Sequence, residues 1–296
     1  MGDYEALMDR AARAERAVAI IGGLDAGKTT FARGVIERAI AAGRTAALVD
    51  SDLGQKSIGP PCTVGMKVIR SADDLASDAL ADADSVWFVG STSPQGHSIP
   101  LITGVAALST GARELGADLL VVDTSGLVSG VYGQLLKFHK FEVLRPDLVV
   151  GLRRGEELNP ILGHAQRFFS AEVVALDIPP EVVSTSVEQR AELRKEAMAR
   201  YFSGEVQRWR VKSTVFMPVL PPLFELALLD RLLVGLSDGR GGYLGVGYLE
   251  HSADEGILRL ISPVAEAPKA LRLGSVRLEE DYRAKRVDLR NLFGAE

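Results

Sequence analysis

The chain has 296 residues, 47% of them hydrophobic, enough for one large domain with a smaller one beside it. Against 39 Asp and Glu there are 34 Lys and Arg, giving a formal charge of −5 and a pI near 5.6; this excludes the broad basic face of a protein that coats duplex DNA, so any nucleic-acid contact must come from a local basic strip. A single cysteine, Cys62, excludes an internal disulfide, and no apolar run approaches the roughly 18–20 residues of a membrane span.

The N-terminus, Met1-Gly2-Asp3-Tyr4-Glu5, has acids and no apolar core. No secretory signal is expected, and with the lone cysteine the chain reads as cytoplasmic. Residues 3–16 alternate Ala, Glu and Arg and predict an amphipathic helix. Ala17–Ile21 then reads as a short buried strand, and it runs into Gly22-Gly23-Leu24-Asp25-Ala26-Gly27-Lys28-Thr29-Thr30. This is G-x-x-x-x-G-K-T, followed over 31–42 by apolar residues at helical spacing. Strand, glycine loop and helix together make a nucleotide site: backbone N–H groups wrap the phosphates and the helix N-terminus adds positive dipole. Lys28 is expected at the β/γ-phosphates and the Thr29 hydroxyl at Mg2+.

The next strand, Thr45–Val49, leads into Asp50-Ser51-Asp52-Leu53-Gly54-Gln55. Two acids two residues apart point the same way in an extended segment. One, taken as Asp50, is expected to hold Mg2+; the other, Asp52, to accept the proton of an attacking hydroxyl. Val86–Val89 ends in Gly90-Ser91-Thr92, with Trp87 expected in the core and His97 a candidate substrate contact. Leu119–Val122 ends in Asp123-Thr124-Ser125-Gly126, a D-x-x-G pattern that raises a regulatory GTPase as a rival. The guanine-reading N-K-x-D or T-K-x-D is absent from the following strand end, Val149-Val150-Gly151-Leu152-Arg153-Arg154. His139 falls on a predicted helix as a surface or packing residue. With Leu148–Val150 and Val173–Leu176, these short continuous runs predict a mostly parallel α/β sheet whose chemistry lies at the carboxyl ends of its strands.

Pro179-Pro180 breaks the pattern, and Ser186-Val187-Glu188-Gln189 is a capping box opening a helix that runs to about Tyr201-Phe202. Arg190 and Arg194 share one face of it and could close over a triphosphate; a solvated face paired with Glu188, Glu192 and Glu196 is the alternative. Beyond about 205 the texture changes. Pro218, Pro221-Pro222 and frequent glycines punctuate short runs such as Arg231–Leu236, Gly256–Ile261 and Ser275–Leu278, which read as a small all-β module. The expected division is a P-loop domain over 1–204, with its lid helix at about 186–202, and a β domain over 205–296.

As a set, these motifs resemble the polyribonucleotide 5'-hydroxyl kinase family of pre-mRNA cleavage and pre-rRNA processing. The resemblance spans about residues 17–203. The family's G-x-x-D-x-G-K-[ST]-T matches Gly22–Thr30 with Asp25 included, and D-x-D-x-G-Q matches Asp50–Gln55. Ile58-Gly59-Pro60-Pro61 matches its proline-rich stretch, and Gly90-Ser91-Thr92-Ser93-Pro94 its clasp. Thr124–Gly130 resembles T-x-G-W-x-x-G, and Arg190, Arg194 and Tyr201-Phe202 match the lid. The family's tryptophan is Leu127 here; in the family this aromatic stacks near the RNA end. The resemblance implies transfer of the γ-phosphate of ATP, with Mg2+, to the 5'-hydroxyl of an RNA or DNA end. Lys28, Asp52, Arg190 and Arg194 would be catalytic, Thr29 and Asp50 would hold the metal, and Gln55, Thr92 and Thr124 would meet the acceptor. The C-terminal β domain would be a docking surface for a protein partner. A regulatory P-loop NTPase, or an ATP-binding scaffold without kinase activity, is the alternative.

Overall fold

Short runs of Val, Ile, Leu and Ala with no polar alternation bury both faces only in a sheet covered by helices. The computed structural model describes residues 2–179, 182, 184–221 and 224–294; Met1, Pro180 and Pro222 lie outside them. In chain order the first part contains α1 (Gly2–Ala11), β1 (Ala17–Gly22), α2 (Lys28–Ala41), β2 (Ala46–Ser51), β3 (Thr63–Ile69), α3 (Ser77–Ala81) and β4 (Ser85–Phe88). It continues through α4 (Ser98–Glu114), β5 (Leu119–Thr124), α5 (Gly130–Leu144), β6 (Leu148–Arg153), α6 (Asn159–Phe168), β7 (Glu172–Asp177) and α7 (Val187–Tyr201).

Strands β2, β5, β1, β6 and β7 lie side by side in that order, all parallel. Every residue of β1, β2 and β5 is buried. One face is covered by α4, α5 and α6 through Leu101, Val105, Leu136, Phe141 and Ile161, the other by α1 and α2 through Leu7, Phe31, Val35 and Ile36. β3, which the sequence did not announce, inserts antiparallel between β2 and β4. Because β4 is antiparallel to β3 in turn, it points the same way as the parallel core. The carboxyl ends of β1, β2, β4 and β5, each followed by one of the sequence motifs, therefore share one edge.

The C-terminal part contains β8 (Gln207–Val211), β9 (Phe216–Met217), β10 (Leu232–Ser237), β11 (Tyr243–Ser252), β12 (Ile257–Ser262), β13 (Ala270–Leu278), β14 (Ala284–Arg286) and α8 (Leu289–Phe293). Its strands pair antiparallel, except for β9 against β13. The sheet is continuous into the first part, where Tyr243 of β11 pairs with Val86 of β4. Phe88 is fully buried at this seam and faces two glycines. A Cβ at Gly235 would lie 2.4 Å from its ring, and one at Gly274 2.9 Å. Trp87 packs in the core as expected, edge-on to Tyr243 with ring centroids 5.2 Å apart.

Helix α7, expected as the lid, is rooted here too. Met198 and Phe202 are buried among residues of β10, β11, β12 and β13. The Val246 amide donates to the Tyr201 hydroxyl at 3.1 Å, and the Phe202 ring stacks on Tyr282 at 5.6 Å.

Candidate active site

The loop between β1 and α2 turns through Asp25 (φ 51°) and Gly27 (φ 78°), both left-handed, a conformation that costs glycine nothing. The Lys28 Nζ donates to the Gly23 carbonyl at 2.6 Å, inside the loop it is expected to close around phosphate. The apex is held from outside. Arg154, just past β6, donates to the carbonyls of Leu24 (3.0 Å) and Asp25 (2.9 Å). The Asp25 carboxylate accepts the Thr185 amide at 2.8 Å and the Arg190 guanidinium at 3.4 Å, with Gln55 Nε2 at 3.4 Å on its other oxygen. Partial burial alone would raise this carboxyl's pKa, but the Thr185 hydrogen bonds, Gln55 and Arg190 outweigh it and hold the group below its usual range.

Thr29 and Asp123 meet across the loop: the threonine hydroxyl donates to Asp123 Oδ2 at 2.6 Å. The other oxygen, Oδ1, is buried and has no hydrogen-bond partner among the described residues. Burial, reinforced by Asp50 and Asp52 and opposed by Lys28, pushes the Asp123 carboxyl up to about 6. A buried carboxylate oxygen with no partner, beside a threonine hydroxyl at a phosphate loop, fits a hard divalent cation such as Mg2+. No group of three or more His, Cys, Asp or Glu side chains suited to a metal occurs among the described residues, so phosphate and water would complete the coordination. Asp123 was not singled out as a ligand from the sequence; the signal for it was an apolar strand ending in an acid one strand away from the phosphate loop.

Asp50, expected at the metal, is occupied elsewhere. Its Oδ2 accepts the Ser57 amide at 2.6 Å and the Ile58 amide at 3.2 Å and pairs with Lys56 at 3.2 Å; its Oδ1 accepts the Asp52 amide at 3.0 Å. It organises the 50–58 loop. Asp52 is only half-buried. Its Oδ1 accepts the amides of Gly54 (2.8 Å) and Gln55 (3.0 Å), and its Oδ2 has no hydrogen bond among the described residues. Thr124, expected at the acceptor, is buried, and its hydroxyl donates to the Ile20 carbonyl at 2.8 Å, tying β5 to β1. That hydroxyl is spent on the sheet.

The remaining expected residues gather around one cleft of about 330 Å3, lined by Asp52, Gln55, Thr92, Leu127, Arg190 and Arg194. Beside it a smaller pocket of about 190 Å3 is lined by Asp25 to Thr30, with Asp52, Gln55 and Asp123. A Cβ at Gly54 would sit 3.5 Å from the Thr92 carbonyl, 3.6 Å from Asp52 Oδ1 and 3.7 Å from Arg194 Nη1, which measures how closely these groups converge. Burial and the neighbouring Arg190 work against the charge on Arg194, whereas Cys62 and Asp52 favour it. An anion in the cleft would relieve that tension.

Two lysines missed in the sequence lie beneath the site. Lys137 and Lys140, on α5, are fully buried. The first donates to the Ser125 carbonyl at 2.6 Å and the second to the Ser51 hydroxyl at 2.7 Å. Ser51 in turn donates to the Asp123 carbonyl at 2.8 Å, so the lysines brace the ends of β2 and β5. Nothing in the local sequence separates them from surface lysines on a helix. His139 lies half-exposed beside Glu142, as expected.

Residues 22–204 match the family model of the mRNA cleavage and polyadenylation factor CLP1 P-loop. The chain is 28% identical to the polyribonucleotide 5'-hydroxyl-kinase of Pyrococcus horikoshii, over 89% of this chain and 86% of that one. It is 35% identical to the enzyme of that name from Methanocaldococcus jannaschii, over 63% of this chain and 50% of that one. Among solved structures, the Clp1p of a Clp1p-Pcf11p complex superimposes with a TM-score of 0.69, over 93% of this chain and 78% of that one at 14% identity, a likeness of fold.

Proposed function

The chain belongs to the CLP1 P-loop family, and from that premise we propose that it is a polynucleotide kinase that moves the γ-phosphate of ATP to the 5'-hydroxyl of an RNA or DNA end. One observation carries this reading: Asp52 lines both the phosphate pocket and the neighbouring cleft, so it stands where a γ-phosphate in one would meet a hydroxyl in the other. A hydrolase has no need of a second cleft lined by two arginines and opening onto the same acid.

Lys28 would exchange the Gly23 carbonyl for the β- and γ-phosphate oxygens. Thr29 and Asp123 would hold Mg2+, which neutralises phosphate charge when bound. Asp52, with Oδ1 fixed by two amides, would orient the 5'-hydroxyl through Oδ2 and take its proton as the new O–P bond forms. The bond from the γ-phosphorus to the bridging oxygen breaks, and ADP leaves with the electron pair. Arg190 and Arg194 would meet the charge that spreads over the transferring group. Gln55 and Thr92 would line the acceptor side.

The test is transfer of label from γ-labelled ATP, with Mg2+, to 5'-hydroxyl RNA and DNA oligonucleotides. Labelled ends are expected, and Asp52→Asn should lower kcat by at least about 100-fold, the usual contribution of a general base, with ATP affinity nearly unchanged. Absence of transfer to every acceptor would end the kinase reading.

A further inference from the structure

A second depression begins where the acceptor cleft stops. The cleft wall includes Thr92, Ser93, Pro94 and Gln95; the next two residues, Gly96 and His97, open a groove of about 570 Å3. Its far side belongs to the C-terminal module and includes Ser275, Arg286, Asp288 and Arg290. The segment 92–97 is thus a common wall, with one end in the cleft and the other in the groove.

The groove is built rather than accidental. His97 Nδ1 lies 3.1 Å from the Gln95 carbonyl, and Nε2 lies 2.8 Å from the Ser275 hydroxyl. That hydroxyl donates its one hydrogen to the Gly90 carbonyl at 3.0 Å. These contacts hold the imidazole ring of His97 in the wall of the groove. Arg286 is exposed and has no carboxylate within salt-bridge distance among the described residues. Arg290 is 81% exposed and pairs at 2.8 Å with Asp288, the only acid among the groove's described lining residues. Two arginines face one carboxylate among the described lining residues, on a protein whose net charge is −5. Here is the local basic strip that an acidic RNA- or DNA-binding chain requires.

We infer that this groove binds the phosphodiester backbone of the acceptor strand beyond its 5'-terminal nucleotide, through Arg286 and Arg290. The inference rests on the kinase reading for which end of the strand enters the cleft. It makes the β module part of the acceptor site: short acceptors use the cleft alone, and longer single strands gain the groove.

The experiment compares wild type with Arg286→Gln/Arg290→Gln on two acceptors, a 5'-hydroxyl dinucleotide and a long single strand. Fluorescence anisotropy of the labelled long strand is measured in parallel over a salt series. The double variant is expected to raise Kd and KM for the long strand about tenfold. The slope of log K against log salt should fall by roughly 1.4, about 0.7 for each phosphate of a single strand that the variant no longer neutralises. Dinucleotide kinetics should be unchanged, which also shows the variant is folded. Equal long-strand affinity and salt slope in the two proteins would overturn the groove while leaving the kinase reading intact. Wild-type binding that the variant weakens, without phosphate transfer by either protein, would support the groove and remove the kinase reading.

Discussion

Asp123 and Thr124 are neighbours on one strand with opposite employment. Successive strand side chains point to opposite faces, so one reaches the Thr29 hydroxyl and the other the backbone of β1. Asp50 and Asp52, two apart and expected to point the same way, part because β2 ends at Ser51: Asp50 is enclosed by its own loop, whereas Asp52 faces the cleft. Beneath both pairs, Lys140 titrates abnormally: burial above all, against the pull of Asp52, Asp123 and Asp50, lowers it to about 7. An unfolded lysine titrates near 10.4. The folded state therefore holds fewer protons between about 7 and about 10, and stability rises with pH across that window. It is lost as pH falls through the folded value. Lys140→Met should flatten this part of the curve, so that thermal unfolding followed by circular dichroism changes less between pH 7 and 9.5 than in wild type. An unchanged slope would assign the titration to another group.

Helix α7 is the element most legible in the sequence. Ser186 accepts the Gln189 amide at 3.1 Å, and Gln189 accepts the Ser186 amide at 2.9 Å, the reciprocal cap expected from residue types alone. The cap sets where α7 begins and so where Arg190 meets Asp25. Ser186→Ala should cost about 1 kcal/mol of helix stability and raise KM for ATP more than it lowers kcat. Steady-state kinetics with ATP varied would check this; a pure kcat effect would contradict it. Other elements were less legible for physical reasons. β3 follows two prolines and contains Gly65 and Lys67, whose ammonium is buried against the Asp82 carbonyl at 2.8 Å, so its pattern reads as loop. β11 contains Gly245 and Gly247, which look like turn residues. A Cβ at Gly247 would lie 2.8 Å from the Ile261 carbonyl, so this glycine marks a close strand approach. Arg154, Lys137 and Lys140 act on the site from positions whose partners are distant in sequence, and no local spacing reveals such contacts.

At the scale of the whole molecule, the two parts meet through one continuous sheet, with Phe88 seated against Gly235 and Gly274. Because that ring occupies the space a side chain would need, Gly235→Ala should overpack the seam and cost roughly 1–3 kcal/mol. Chemical denaturation should show a lower midpoint, and a wild-type midpoint would mean that the seam yields freely. The β module does more than close the sheet: Tyr201 and Phe202 anchor the lid in it, and Arg286 and Arg290 stand on it. If α7 closes over ATP and the groove takes the strand, as proposed, the two share one foundation. Any ordering of that foundation by one substrate lowers the entropy the other must give up, which is positive coupling without a moving part. The coupling is reciprocal by thermodynamic necessity: the factor by which a long acceptor tightens ATP is the factor by which ATP tightens the acceptor. A dinucleotide, which never reaches the foundation, would leave ATP affinity where it was.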